Sequence, residues 1–357
     1  SQSYPPMTNA LAALLNEKGV LLADGATGSN LFEVGLQTGD SPELWNDIHP
    51  ERIANQYQSF IDAGSDIILT NTFGGNSYRL KLHDAADRVE ELNMKAAQLA
   101  RQQVDQAGRT VLVGGSMGPT GEILQPLGPL SIAEAASAFA EQAEALKKGG
   151  ADVLWVETMS SREEVEAAVT GASQVGLPVV TTFSVDTNGR TMMGLAPADI
   201  VSIARELPNQ PYAIGANCGV GASESIAAIV NMKTACDQQG ISPVIIVKAN
   251  CGVPEYIDGK IVYSGTKEIM ADYAGFAIDA GAKIIGGCCG TTPGHVAAMR
   301  EAIDNHTAAE APDLETIMQR LGDVSSGARA QLRGEMSVAA GAVSDRGEGR
   351  KRRRRRG

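Results

Sequence analysis

Lys283-Ile284-Ile285-Gly286-Gly287-Cys288-Cys289-Gly290-Thr291-Thr292 is an apolar run that breaks into glycines around two adjacent cysteines. Its first half, 283–287, is the last of eight short runs built from Val, Ile, Leu and small residues with little polar alternation. The other seven are 20–24, 66–73, 110–116, 152–157, 178–184, 212–217 and 244–249. Such uniformly apolar runs are expected of parallel strands covered on both faces. Amphipathic stretches at 132–148, 162–174, 224–238 and 267–280 lie between them. Gly64-Ser65-Asp66, Gly150-Ala151-Asp152 and Gly281-Ala282-Lys283 carry glycine where a helix should stop. Eight βα units predict an α/β chain folded as a (β/α)8 TIM barrel over residues 10–305. A doubly wound open sheet is the competing architecture, but no Gly-x-Gly-x-x-Gly follows the first run.

In a barrel of this kind the chemistry sits where strands end and the following loops begin. Asp24, Thr70-Asn71, Ser116, Glu157, Cys218, Cys251 and Cys288-Cys289 all fall there. Neighbouring side chains on a strand point to opposite faces, so Cys288 and Cys289 meet at one point only if the backbone turns. Gly286, Gly287 and Gly290 permit that turn. Two thiols forced together suggest a soft metal such as Zn²⁺, with Cys218 as third ligand and one position open. A thiol joining that open position is deprotonated near neutral pH and becomes a nucleophile suited to attack on an activated methyl group. A closed four-thiolate site with Cys251, or no metal at all, are the alternatives. Closely spaced cysteine pairs of the structural-zinc type are absent. Cys236 lies in a helical segment and reads as structural.

Asp24 opens the turn Asp24-Gly25-Ala26-Thr27-Gly28, whose backbone amides can hold a carboxylate. Glu157, after Val153-Leu154-Trp155-Val156, is a second acid at the same mouth, and a buried acid needs a partner. Together they read as a receptor for an amino acid, unless Asp24 only caps a turn. The four histidines, His49, His83, His295 and His306, read as surface or capping residues. Met192-Met193 reads as loop packing that can reach a donor pocket.

The 357 residues carry 30 basic and 42 acidic side chains. Seven of the basic ones are Arg350, Lys351 and Arg352 to Arg356, leaving 23 against 42 in the body of the chain. An acidic body is poorly suited to gripping nucleic acid. The arginine-rich run can touch RNA or another anionic partner, but such runs are usually solvated. No segment reaches the roughly 20 apolar residues of a membrane helix. The first residues show no signal-peptide core, and five cysteines fit no disulfide framework. A cytoplasmic protein is expected. The expected division is an N-terminal tail 1–9, a barrel 10–305, a helical segment 306–324 and a flexible tail 325–357.

The chain resembles the zinc-dependent homocysteine S-methyltransferases over about residues 10–305, most closely bacterial proteins of the betaine–homocysteine type. The resemblance rests on Asp24-Gly25-Ala26-Thr27-Gly28, Thr70-Asn71-Thr72-Phe73, Glu157-Thr158, Asn217-Cys218 and Gly286-Gly287-Cys288-Cys289-Gly290-Thr291. It implies that Cys218, Cys288 and Cys289 bind zinc and that homocysteine sulfur is the fourth ligand. Asp24 and Glu157 would hold the substrate's amino group and the amides of Gly25, Ala26 and Thr27 its carboxylate. Thr70, Asn71 and Asn217 would complete that pocket, and methionine would be the product.

Quaternary ammonium donors are normally held by aromatic faces. Trp45 matches the tryptophan of animal betaine enzymes, and Phe73 and Tyr78 complete the expected donor pocket. The tyrosines found in those enzymes after Thr72-Phe73 and after Glu157 are Gly74 and Thr158 in this chain. Thr70-Asn71-Thr72-Phe73 and Glu157-Thr158 look equally like the homocysteine module of cobalamin-dependent methionine synthase. A free-standing module taking methyl from a separate corrinoid protein is therefore an alternative. A non-catalytic homocysteine or zinc sensor is a third reading. A homo-oligomer is the expected assembly.

Overall fold

The computed structural model describes residues 9–335. Its strands are β1 (Leu21–Leu22), β2 (Ile67–Leu69), β3 (Leu112–Met117), β4 (Val153–Met159), β5 (Val179–Phe183), β6 (Ala213–Cys218), β7 (Val244–Ala249), β8 (Pro254–Ile257), β9 (Lys260–Tyr263) and β10 (Ile284–Gly287). Eight of them form one parallel sheet in the order β1-β10-β7-β6-β5-β4-β3-β2, with helices around it. This is the (β/α)8 barrel that the eight apolar runs predict.

The seam between β1 and β2 is closed by acids rather than by a regular ladder. Asp66 donates its N–H to Leu22 O (2.6 Å) and accepts Leu22 N–H on Oδ2 (2.8 Å). Asp24 accepts Leu69 N–H on Oδ2 at 2.9 Å. Asp66 is fully buried and paired with Lys18 (2.5 Å) and Arg300 (2.9 Å), so its charge is compensated where water cannot reach.

Alternate residues of each strand point inward and outward, which divides the core in two. Leu21, Ile67, Leu112, Trp155, Val180, Ala213, Ile246 and Ile284 fill the barrel, together with Leu11 and Leu14 of the helix Ala10–Lys18. The larger cluster lies between strands and surrounding helices. Each fully buried Leu, Ile or Val contributes roughly 1.5–3 kcal/mol, so the filled barrel is a rigid platform for the loops at its mouth.

Two expectations need correction. The hairpin β8–β9 interrupts the seventh βα unit, between β7 and the helix Lys267–Asp279, where the sequence pattern marks no strand. Residues 325–335 are not the tail that composition predicts. Ser325 caps a helix, Ser326–Leu332, whose Ala328 and Ala330 are buried. Glu224 accepts the Ser325 N–H, and Gln331 donates to Gly189 O at 3.1 Å. The small residues there serve close packing. Within the helical segment expected at 306–324, a helix runs Leu314–Leu321, capped by Asp313. Residues 1–8 and the arginine-rich run 350–356 lie outside the described residues. Among the described residues no helix is long and apolar enough to cross a membrane.

Candidate active site

A cavity of about 1130 Å³ opens at the carboxyl ends of the strands. Cys218, Cys288 and Cys289 form one wall, and their sulfurs all lie within 4.8 Å of one another. A tetrahedral zinc with Zn–S of about 2.3 Å separates its sulfurs by roughly 3.8 Å, so the set can converge on one ion. Cys218 and Cys288 are 2.9 Å apart and not covalently joined. Cys218 ends β6 with φ of +57°, the turn that aims its side chain back toward β10. Of the three glycines expected to permit the turn, Gly290 takes the positive φ (+79°), while Gly286 and Gly287 belong to β10.

Cys289 is stabilised as a thiolate by hydrogen bonds from Cys218, Cys288 and Tyr263, which hold it well below the usual thiol range. Cys218 is held well above that range by its bonds to Cys288 and Cys289, and by burial. The three clustered thiols form a soft donor set suited to a cation. Cys251 is fully buried, donates to Gly265 O (3.2 Å) and does not line the cavity. Burial pushes its thiol up to about 11. It is no fourth ligand in this arrangement. Cys236 is buried in the helix Ala222–Gln239, as a structural cysteine should be.

Gly25, Ala26, Thr27, Thr70, Asn71, Glu157 and Asn217 line the cavity, whereas Asp24 is buried and does not, and most of these residues are already engaged. Asp24 is not an open receptor. Lys248 Nζ donates to its Oδ1 at 2.5 Å, and Leu69 N–H occupies Oδ2. Burial raises Asp24 while Lys248 opposes that shift. Burial alone would lower Lys248, but Asp24 and Glu157 hold it above its ordinary range, and Lys248 and Asp24 face each other at 2.5 Å. Ala26 N–H is spent on Thr291 O at 3.0 Å. Thr70 Oγ1 meets Thr72 Oγ1 at 2.6 Å, and Asn71 Nδ2 donates to Pro42 O (2.7 Å) and Asn46 Oδ1 (3.0 Å).

Asn217 acts as a clamp. It donates to Thr158 Oγ1 (2.7 Å) and accepts from Thr158 N–H (2.9 Å) and Thr182 Oγ1 (2.7 Å). Thr158 has φ of +62°, unusual for a β-branched residue, at the point where the β4–β5 register shifts. That irregularity follows Glu157, whose carboxyl burial raises to about 8 despite the opposing charge of Lys248.

The expected donor pocket is only partly assembled. Phe73 lines the cavity, but Trp45 and Tyr78 do not. Trp45 is buried beneath Arg52, whose guanidinium lies 5.0 Å from the ring, and against the edge of His49. Tyr78 lies in the short helix Ser77–Lys81, facing a core cluster. The aromatic side chains at the cavity are Phe32, Phe73, Tyr256 and Tyr263, with Glu33, Asp40 and Glu43 among them. Gly74 stands where a tyrosine was expected because Glu43 fills that space. Its N–H donates to Glu43 Oε1 (2.6 Å), and a Cβ would lie 2.7 Å from the same oxygen. Met192 and Met193 are exposed and outside the cavity. His295 caps its helix through Thr292, as expected.

Lys248, Tyr263 and Glu43 were missed by the sequence reading. A lysine inside the apolar run 244–249 was the legible signal, since a buried cation needs a counter-charge.

The family model for homocysteine S-methyltransferase matches residues 21–303. Methionine synthases of Mycobacterium tuberculosis and Mycobacterium leprae are each 30% identical over 302 residues, covering 80% of this chain. The chain spans about a quarter of their length, 25% and 24% respectively. The homocysteine methyltransferase MmuM of Escherichia coli, in its metallated form, is 26% identical with a TM-score of 0.67, covering 82% of this chain and 99% of that one. With these likenesses and a thiol-lined barrel mouth in hand, the chain is placed among the homocysteine S-methyltransferases and belongs to that family.

Proposed function

We propose that this chain transfers a methyl group to the sulfur of homocysteine, forming methionine, with Zn²⁺ held by Cys218, Cys288 and Cys289. The observation that carries the reading is the convergence of three thiols from β6 and the end of β10 beside the half-buried Glu157 and the buried pair Asp24 and Lys248. Zinc in that thiol set supplies Lewis acidity that lowers the pKa of a substrate thiol and favours its nucleophilic form.

The chain's own residues bind and orient. Glu157, whose protonated form burial favours, becomes the partner of a substrate ammonium, whose charge favours the ionised carboxylate. The Asp24–Lys248 pair lies close enough for its charges to act on Glu157. Holding thiol and methyl donor in line can supply several kcal/mol of the barrier reduction.

We assign the donor to glycine betaine or a similar onium compound. Phe32, Phe73, Tyr256 and Tyr263 line the cavity together with Glu33, Asp40 and Glu43, and aromatic faces and carboxylates suit a methylated cation, although Arg79 and Lys260 line it too. The likeness to methionine synthases favours a second reading, in which a separate corrinoid protein delivers the methyl group. Zinc-loaded protein incubated with homocysteine and glycine betaine alone is expected to form methionine, read by mass spectrometry. No methionine from betaine, with turnover restored by a methyl-corrinoid protein, would select the second reading.

A further inference from the structure

Lys248 is the only charged residue of β7, opposite Asn217 on β6 and Gly286 on β10. Its side chain crosses β10 where Gly286 offers no side chain. A Cβ there would lie 3.3 Å from Lys248 Cγ and 2.9 Å from Asp24 O. The ammonium ends on Asp24 Oδ1, 2.5 Å away, in a residue only 4% exposed.

The two partners are unequally satisfied. Asp24 has one oxygen on Lys248 and the other on Leu69 N–H. An ammonium carries three donors, and among the described residues Asp24 is the one hydrogen-bond acceptor Lys248 reaches. Lys248 lines the same cavity as Cys218, Cys288 and Glu157. A buried cation with donors to spare beside a cavity is a receptor for an anion. A zwitterionic amino acid presents one group of each sign, and the cavity floor offers Lys248 for one and Glu157 for the other.

We propose that Lys248 receives the α-carboxylate of the substrate amino acid, while Asp24 fixes Lys248 and does not touch substrate. This rests on the reading of homocysteine as substrate. Titration calorimetry of the zinc-loaded protein compares homocysteine with 3-mercaptopropylamine, which keeps the thiol and amine and lacks the carboxylate. The wild type is expected to prefer homocysteine by about 10- to 100-fold, the range of a charge-assisted hydrogen bond.

Lys248→Met should keep its zinc, bind the amine about as well as the wild type does, and retain a preference of about threefold or less. Because that variant leaves Asp24 buried without its counter-ion, the double variant Asp24→Asn/Lys248→Met is measured beside it and should behave alike. An undiminished preference in either folded variant overturns the assignment, as does equal weakening of both thiols, which would mark Lys248 as structural. A wild type that binds both thiols without preference overturns it too. A wild type that binds neither refutes the substrate reading itself, and the role of Lys248 with it.

Discussion

Glu157 carries the sharpest consequence at the scale of one residue. Burial raises its carboxyl to about 8, against 4.5 for the unperturbed group. The folded chain therefore retains a proton that the unfolded chain releases, and stability falls as pH rises from about 4.5 through 8. Glu157→Gln removes that ionisation. The metal-free variant should be more stable than metal-free wild type at pH 8, on the order of a few kcal/mol, and closer to it at pH 5. Urea unfolding at both pH values checks this, and identical pH dependence in the two proteins would contradict it. Glu157 was legible because an acid ends an apolar run. The engagement of Asp24 was not, because its partner Lys248 lies 224 residues away in sequence.

At the scale of elements, the irregularity at the end of β4 depends on one side chain from β6. Asn217 makes three hydrogen bonds that hold Thr158 at its positive φ and tie β4 to β5. Asn217→Ala should cost about 2–4 kcal/mol of stability and weaken thiol binding by releasing the segment that carries Glu157. Urea denaturation and calorimetry measure both. A loss below about 0.5 kcal/mol with unchanged affinity would show that the backbone holds this shape unaided.

The parallel strands were readable because burial on both faces leaves uniformly apolar runs. The hairpin β8–β9 was missed because its residues are mostly exposed and carry no such run. Its signal was present in Asp258-Gly259, both at positive φ (50° and 78°), a two-residue turn that joins antiparallel strands. This hairpin brings Tyr256 and Tyr263 to the cavity. Trp45 and Tyr78, chosen by resemblance, stand away from it because lining depends on packing that spacing does not encode.

Taken whole, the barrel works as a device for convergence. Asp66 and Asp24 close β1 against β2 while β1 pairs with β10, so ligands 70 residues apart and a lysine from β7 share one floor. An open sheet would leave them separated. The eight-unit pattern contained that convergence, whereas the donor pocket depends on loops whose course the pattern does not set. Zinc K-edge X-ray absorption tests the central claim most directly. The account predicts one zinc per chain with three sulfurs at about 2.3 Å, becoming four when homocysteine is added. A zinc that binds elsewhere, or a sulfur count that homocysteine leaves unchanged, would contradict it.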